Sequence, residues 1–267
     1  METNVMTTFS VLYVGDVVGR PGRSFLAKKL NFIKANLRPN LIVVNGENAA
    51  GGFGLTKEIV DDFMSLGVDV ITTGNHVFDR KEFLAEIDQC TRVVRPANMP
   101  SGVPGRDHVL LTTNEGIEIL IFQLLGRIFM QPMDCPFKAS EQMLARHKTA
   151  TIKIVDIHAE ATSEKQAIGL FLDGKVSMVV GTHTHVSTAD HRVLPGGTAY
   201  ITDIGMVGPR NSIIGMEPKG VIERFITGLP IRYEVASGPS IFNSVLVKID
   251  LNTGLANDIK RIDFVEE

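Results

Sequence analysis

What most constrains this chain is a recurring phrase: an apolar run of strand length, closed by side chains able to ligate a metal. Phe9 to Val14 runs into Gly-Asp-Val-Val-Gly (15–19), Leu41 to Val44 into Asn-Gly-Glu-Asn (45–48), and Val68 to Thr73 into Gly-Asn-His (74–76). Ile152 to Ile157 meets His158-Ala159-Glu160, and Val176 to Val180 meets Gly-Thr-His-Thr-His-Val (181–186). Buried strands that end in polar residues are where open α/β sheets place their ligand sites.

The segments between these runs have helical periodicity. Pro21-Gly22-Arg23 opens a segment with Phe25, Leu26, Leu30 and Ile33 on one face, closed by Asn36 to Pro39. Thr56 begins a second helix carrying Ile59, Val60, Phe63, Met64 and Leu66 and ended by Gly67. Asp79 to Gln89 is a third, with Phe83, Leu84 and Ile87 on one face. Alternating strands and helices with short connections imply parallel neighbours. From His108 the pattern changes: His108 to Thr113 and Ile117 to Leu125 flank Asn114-Glu115-Gly116 as a hairpin. Ser140 to Lys148 and Ser163 to Leu172 read as helices, and the last third, with Thr198 to Thr202, Asn243 to Ile249 and Ile259 to Val265, as mostly strand. Two mixed sheets packed face to face with helices outside would accommodate this order. The expected fold class is therefore α/β (α+β), in a single domain over 1–267, since no linker, repeat or compositional break divides the chain.

Composition removes several function classes. A net charge of −3 argues against an extended nucleic-acid surface. No run is long enough to span a membrane, and the start lacks the basic end and apolar stretch of a signal peptide. Two cysteines, Cys90 and Cys135, make neither a disulfide framework nor a cysteine-rich metal site and fit a reducing cytoplasm.

Two imidazoles two residues apart, His183 and His185, can converge on one metal, although the tripeptide alone is equally a pair of loop histidines. Taken singly, Asp16 reads as a helix cap, Glu47 as a solvated acid and His158 as a core imidazole. Together with Asn48, Asn75 and His76 they form a mixed oxygen and imidazole set suited to manganese, iron or zinc, with more donors than one tetrahedral ion needs. Ala49 to Gly54 lacks the lysine of a nucleotide-binding P-loop and reads equally as a site wall. Arg127, Phe129 and Met130 are candidates to frame a substrate. Gly205 to Pro209 reads as a turn, and His108, His147 and His191 as structural or surface residues.

The blocks Gly-Asp-Val-Val-Gly-Arg-Pro-Gly-Arg (15–23), Asn-Gly-Glu-Asn-Ala-Ala-Gly-Gly (45–52), Thr-Gly-Asn-His-Val-Phe-Asp (73–79), Arg-Pro-Ala-Asn (95–98), Asp-Ile-His-Ala-Glu-Ala-Thr-Ser-Glu-Lys (156–165) and Gly-Thr-His-Thr-His-Val (181–186) resemble the YmdB-type calcineurin-like metallophosphoesterases. The similarity continues through residues 194–209. It implies a four-layer αββα sandwich with a dinuclear metal site and phosphodiesterase activity on 2′,3′-cyclic nucleotides. The wider superfamily usually has Asp-x-His at the first strand and a bridging Asp at the second. Here the first strand offers Asp16 without the histidine, and Glu47 replaces the bridging acid, departures characteristic of the YmdB branch.

The resemblance assigns Asp16, Glu47 and His185 to one metal, and Glu47, Asn75, His158 and His183 to the other, with Glu47 shared. Two cations roughly 3.5–4 Å apart can turn a bridging water into hydroxide near neutral pH and clamp a phosphoryl group. Iron or manganese is the expected pair, divalent or of mixed valence, and the set also accepts zinc. His76 is assigned to protonating or stabilising the leaving ribose oxygen, and Asn48 to supporting the ligands or contacting phosphate.

The leading expectation is a cytoplasmic, metal-dependent phosphodiesterase acting on 2′,3′-cyclic nucleotides, with 3′,5′-cyclic nucleotides and simple diesters as further substrates. Alternatives are a phosphomonoesterase or nucleotidase, and a regulatory protein influencing RNA turnover with a mainly structural metal site. An amidohydrolase also uses His-x-His but places it on its first strand, the reverse of the order here. The partner expected is a cyclic nucleotide or another small phosphodiester, with no membrane, no extended nucleic-acid surface, and a homo-oligomer left open.

Overall fold

A computed structural model describes residues 7–266. Two six-stranded sheets dominate it. The first has the order Ala256–Arg261, Ser244–Asp250, Thr8–Val14, Leu41–Asn45, Val70–Thr72 and Val93–Val94. Strands from Thr8–Val14 to Val93–Val94 are parallel, whereas Ser244–Asp250 and Ala256–Arg261 are added antiparallel. The second has the order Arg192–Val193, Ala199–Ile201, Met178–Thr182, Ile152–His158, Glu118–Leu125 and His108–Thr112, with a parallel centre and an antiparallel strand at each edge.

Because successive residues of a strand face opposite ways, each sheet buries two apolar faces. Val11, Tyr13 and Val43 of the first meet Ile121, Ile154 and Val180 of the second across the central core. On the far side of the first sheet, Leu12, Val14 and Val44 pack against Leu26, Ile33, Phe63 and Phe83 of the helices Gly19–Leu37, Lys57–Ser65 and Lys81–Glu86. On the far side of the second, Phe122, Val155 and Val179 pack against Met143 and Ile168 of the helices Pro136–Arg146 and Thr162–Phe171. The layers run helix, sheet, sheet, helix, as expected for a four-layer sandwich of two mixed sheets.

Several elements differ from the sequence reading. The first helix starts at Gly19, two residues early, because Pro21 in the first turn gives up an N–H that has no partner there. Pro136 does the same for a helix expected to begin at Ser140. Leu84 points outward at 45% exposure, leaving Phe83 and Ile87 as the buried residues of their segment. Thr56 caps its helix as expected, its hydroxyl accepting from the Ile59 N–H at 3.4 Å. Met206–Pro209 is a strand and not a turn: it belongs to a third, four-stranded sheet of Phe264–Val265, Ser240–Phe242, Met206–Pro209 and Asp16–Val17. Asp16 is thus held by pairing with Met206 rather than hanging from the end of the first strand. A helix at Pro218–Thr227 had no counterpart in the sequence reading, since Val221 is its one buried apolar residue and its other apolar side chains remain largely outside.

Candidate metal centre

The strands deliver the expected side chains to one end of the sandwich. Among the described residues, two groups offer donor atoms all within 4.8 Å of one another: Glu47, His158 and His183, and Asp16, Glu47 and His185. Glu47 belongs to both. Its Oε1 lies 2.9 Å from His158 Nε2, and its Oε2 accepts the His76 N–H at 3.1 Å. Asn75 Oδ1 lies 3.1 Å from His158 Nε2 and Asn48 Oδ1 3.2 Å from His185 Nε2.

The residues fit a bound cation because their partners set the tautomers. Thr182 donates its hydroxyl proton to Asp156 Oδ1 at 2.7 Å, so it can only accept from His158 Nδ1–H at 2.8 Å. The Glu160 carboxylate lies 3.1 Å from His183 Nε2, and His185 donates Nδ1–H to the Ile214 carbonyl at 2.8 Å. Each imidazole therefore turns its second nitrogen inward: His183 Nδ1 sits 3.1 Å from His158 Nε2, in the company of the Asn75 and Glu47 oxygens. Donor atoms crowded in this way call for a positive charge among them, a bound cation or, without one, a proton on His158 Nε2, and an acceptor behind the ring is how metal-binding histidines are oriented. Asp16 Oδ1 adds to the argument, being buried with no hydrogen-bond partner.

Without a cation, the charges fall on Glu47 and His158. Burial raises the Asp16 carboxyl well above its usual range, the mark of an anion lacking compensation. Burial also works against the Glu47 carboxylate, but His158 outweighs it and holds the group down at about 2. For His158, burial favours the neutral form, yet Glu47, Asp16 and Asp156 lift it to about 9. Burial and the neighbouring His158 press His183 down to about 3, and burial lowers His185.

The His-x-His turn is strained and externally braced. His183 and His185 take φ of 95° and 63°, in the left-handed region that costs a residue with a side chain about 1–3 kcal/mol. Asp203 holds the turn by accepting from the Thr184 N–H at 3.1 Å and its hydroxyl at 2.7 Å, and is itself paired with the buried Lys165 at 2.7 Å. A second constraint is steric. A Cβ on Gly74 would lie 2.0 Å from Glu47 Oε2 and 2.6 Å from His158 Nε2, so glycine is required for the acid and imidazole to meet there.

The cluster opens into a cavity of about 310 Å³, lined on its polar side by Glu47, Asn48, His76, Glu160, His183 and His185. His76 lies outside both ligand groups and bonds Asp79 through Nδ1 at 2.7 Å, while its ring meets Phe53 edge-on at 5.0 Å. The Ala49 to Gly54 loop forms a wall: Arg23 binds the Ala49 carbonyl, Arg80 binds those of Ala50 and Phe53, and Phe53 faces the cavity. Arg127, Phe129 and Met130 do not line it, and Phe129 stands 88% exposed. His108 meets the His147 ring at a 48° tilt and pairs with Asp107, and it belongs to neither ligand group.

Sequence reasoning passed over Asp79, Glu160, Asp156, Thr182, Asp203 and Lys165. Asp79 and Glu160 sit three and two residues from a candidate histidine, a spacing that could have drawn notice. Asp203 and Lys165 act across 38 residues, with no local signal.

A family model described as YmdB-like protein matches residues 12–262. The chain belongs to the YmdB-like family. Among its relatives, a protein of Bacillus subtilis (strain 168) named 2′,3′-cyclic-nucleotide 2′-phosphodiesterase is 46% identical, the match covering 94% of this chain and 96% of that one. The crystal structure of a Mycoplasma pneumoniae protein described as a novel phosphatase superposes with a TM-score of 0.93 at 34% identity, over 98% of this chain and 95% of that chain. A Thermus thermophilus protein described as hypothetical gives a TM-score of 0.91 at 40% identity, over 97% of this chain and all of that one. This YmdB-like chain thus has the metallophosphoesterase-like sandwich expected of it. None of its described helices is long and apolar enough to cross a membrane.

Proposed function

We propose that this chain is a two-metal phosphodiesterase that opens 2′,3′-cyclic nucleotides by breaking the phosphorus bond to the 2′ oxygen, as the name of its Bacillus subtilis relative describes for that protein. The observation that carries the reading is the convergence of three inward imidazole nitrogens on a shared, buried Glu47, at the edge of a cavity that His76 also lines. Asp16, Glu47 and His185 would hold one cation, and Glu47, Asn75, His158 and His183 the other, with Asn48 beside His185. The oxygen and imidazole mixture suits iron or manganese and also accepts zinc. Bound there, the pair would supply the Lewis acidity that activates water and neutralises the charge building on the phosphoryl oxygens.

The chain's own groups account for the rest. Water adds its oxygen to phosphorus, the bond to the 2′ oxygen breaks, and the departing oxygen needs a proton. His76 would give it: Asp79 accepts from its Nδ1–H at 2.7 Å and fixes the ring, leaving Nε2 as the nitrogen that exchanges the proton. Glu160 keeps the His183 ring turned inward, and Asp203 with Lys165 keeps the strained turn in place. A cytoplasmic setting agrees with Cys90 and Cys135 being free thiols.

The test is hydrolysis of 2′,3′-cyclic AMP by manganese-loaded protein beside a chelated sample. We expect metal-dependent formation of the 3′-monophosphate alone. Protein carrying two metals per chain that leaves the substrate intact would overturn the assignment.

A further inference from the structure

The cavity is chemically divided. Beyond its polar side, the lining passes to Phe53, Ile214, Met216, Val221, Phe225 and Tyr233, among which the Tyr233 phenol is the one polar side-chain group. Phe225 is 83% exposed, a large aromatic left in water on the helix Pro218–Thr227. Val221, one turn earlier, anchors that helix in a small cluster with Val18, Met206 and Met216, so Phe225 is presented from a fixed base. The Tyr233 ring is held as well: Arg224 donates to its phenol oxygen at 2.6 Å and lies 5.2 Å from the ring centroid.

A phosphate ester with a small polar alcohol would have no use for such a wall. A ligand charged at one end and flat and apolar at the other matches both halves, and about 310 Å³ is near the lower bound of small-molecule sites. We propose that this wall is a nucleobase seat, with Phe225 and Tyr233 selecting a nucleotide over a cyclic phosphodiester that lacks a base. The proposal rests on the phosphodiesterase reading and adds the residues that set its selectivity. With a single hydroxyl on the wall, itself engaged by Arg224, the base is gripped by its faces and its edges go unread. Stacking of this kind tolerates all four bases and favours the larger purines.

The experiment compares kcat/KM for 2′,3′-cyclic AMP with that for glycerol 1,2-cyclic phosphate, the same five-membered diester without a base, in the wild-type protein, Phe225→Ala and Tyr233→Leu. Phe225 is exposed enough for its truncation to leave the fold intact. We expect the ratio between the two substrates to fall about tenfold or more in Phe225→Ala, the scale of a lost stacking contact. Saturation-transfer NMR supplies a readout apart from turnover: adenosine protons H2 and H8 should receive saturation from the chelated wild-type protein and much less from Phe225→Ala. An unchanged ratio in both variants would overturn the seat while leaving the phosphodiesterase standing. If wild-type protein turned over neither ester, the phosphodiesterase reading would fall, and the NMR contact would decide the seat alone: its presence supports it and its absence overturns it.

Discussion

The two sides of the cavity are built on opposite principles. The polar side gathers residues from strand ends far apart in sequence: Asp16, Glu47, His158 and His185 are no more than 6% exposed, and the His183 N–H reaches Asp16 across 167 residues. Each imidazole there has an acceptor behind it. The apolar side comes largely from the local stretch 213–233, with a helix held by one buried residue, Val221. Chemistry that depends on donor positions within a fraction of an ångström is placed on the buried core, and selection by flat contact is placed on a peripheral helix anchored through Val221.

Substitutions should separate the two sides, and the largest effects belong to the polar one. Glu47→Gln removes the shared charge, and metal content by elemental analysis should drop together with turnover, by more than the roughly 10²–10³-fold that loss of one electrostatic stabiliser costs. Normal occupancy with normal rate would break the assignment. Gly74→Ala should do the same by steric means, forcing Glu47 and His158 apart, with a fold weakened by about 1–3 kcal/mol in thermal unfolding.

His76→Ala is expected to keep both metals and lose about 10²–10⁴ in rate, most for substrates with poor leaving groups. Loss of both metals instead would make His76 a ligand. Next in size is Glu160→Gln, which replaces the carboxylate behind His183 and should weaken metal affinity by about 10–100-fold in a chelator competition. Unaltered affinity would show that the turn geometry alone orients that ring.

The smallest effect is a pH dependence of stability in chelated protein. An unfolded histidine titrates near about 6.5. His158, raised to about 9, contributes stability fully present below about 6.5 and lost as pH rises through 9. His183, lowered to about 3, acts the other way: between about 6.5 and 3 the unfolded chain takes up a proton that the folded one refuses, so stability falls with pH. Urea unfolding should show a maximum near about pH 6.5, and metal loading should flatten the alkaline side by holding His158 neutral. A monotonic rise from neutral to alkaline pH in chelated protein would contradict the role given to the Glu47–His158 pair.

Much was legible in the sequence. The apolar runs marked the strands because a strand buried on both faces must be apolar along its length, and the donors after them stood out because acids and imidazoles rarely follow such runs without cause. The wall helix Pro218–Thr227 was not legible, since its exposed Ile222, Phe225 and Ile226 leave no clean division between a core face and a solvent face. Nor was the four-stranded sheet that holds Asp16, because two-residue strands leave too little pattern to read.

By itself, the sequence determined which donors the chain possesses and which segments must be buried. Tertiary structure decided the sheet order, the inward tautomers and the strained His183 to His185 turn. These depend on Thr182, Asp156, Glu160, Asp203 and the Ile214 carbonyl, partners brought beside the histidines by the pairing of strands distant in sequence and by the loops that follow them. A local pattern can name a ligand, but the direction of its lone pair is set by what the fold places behind it.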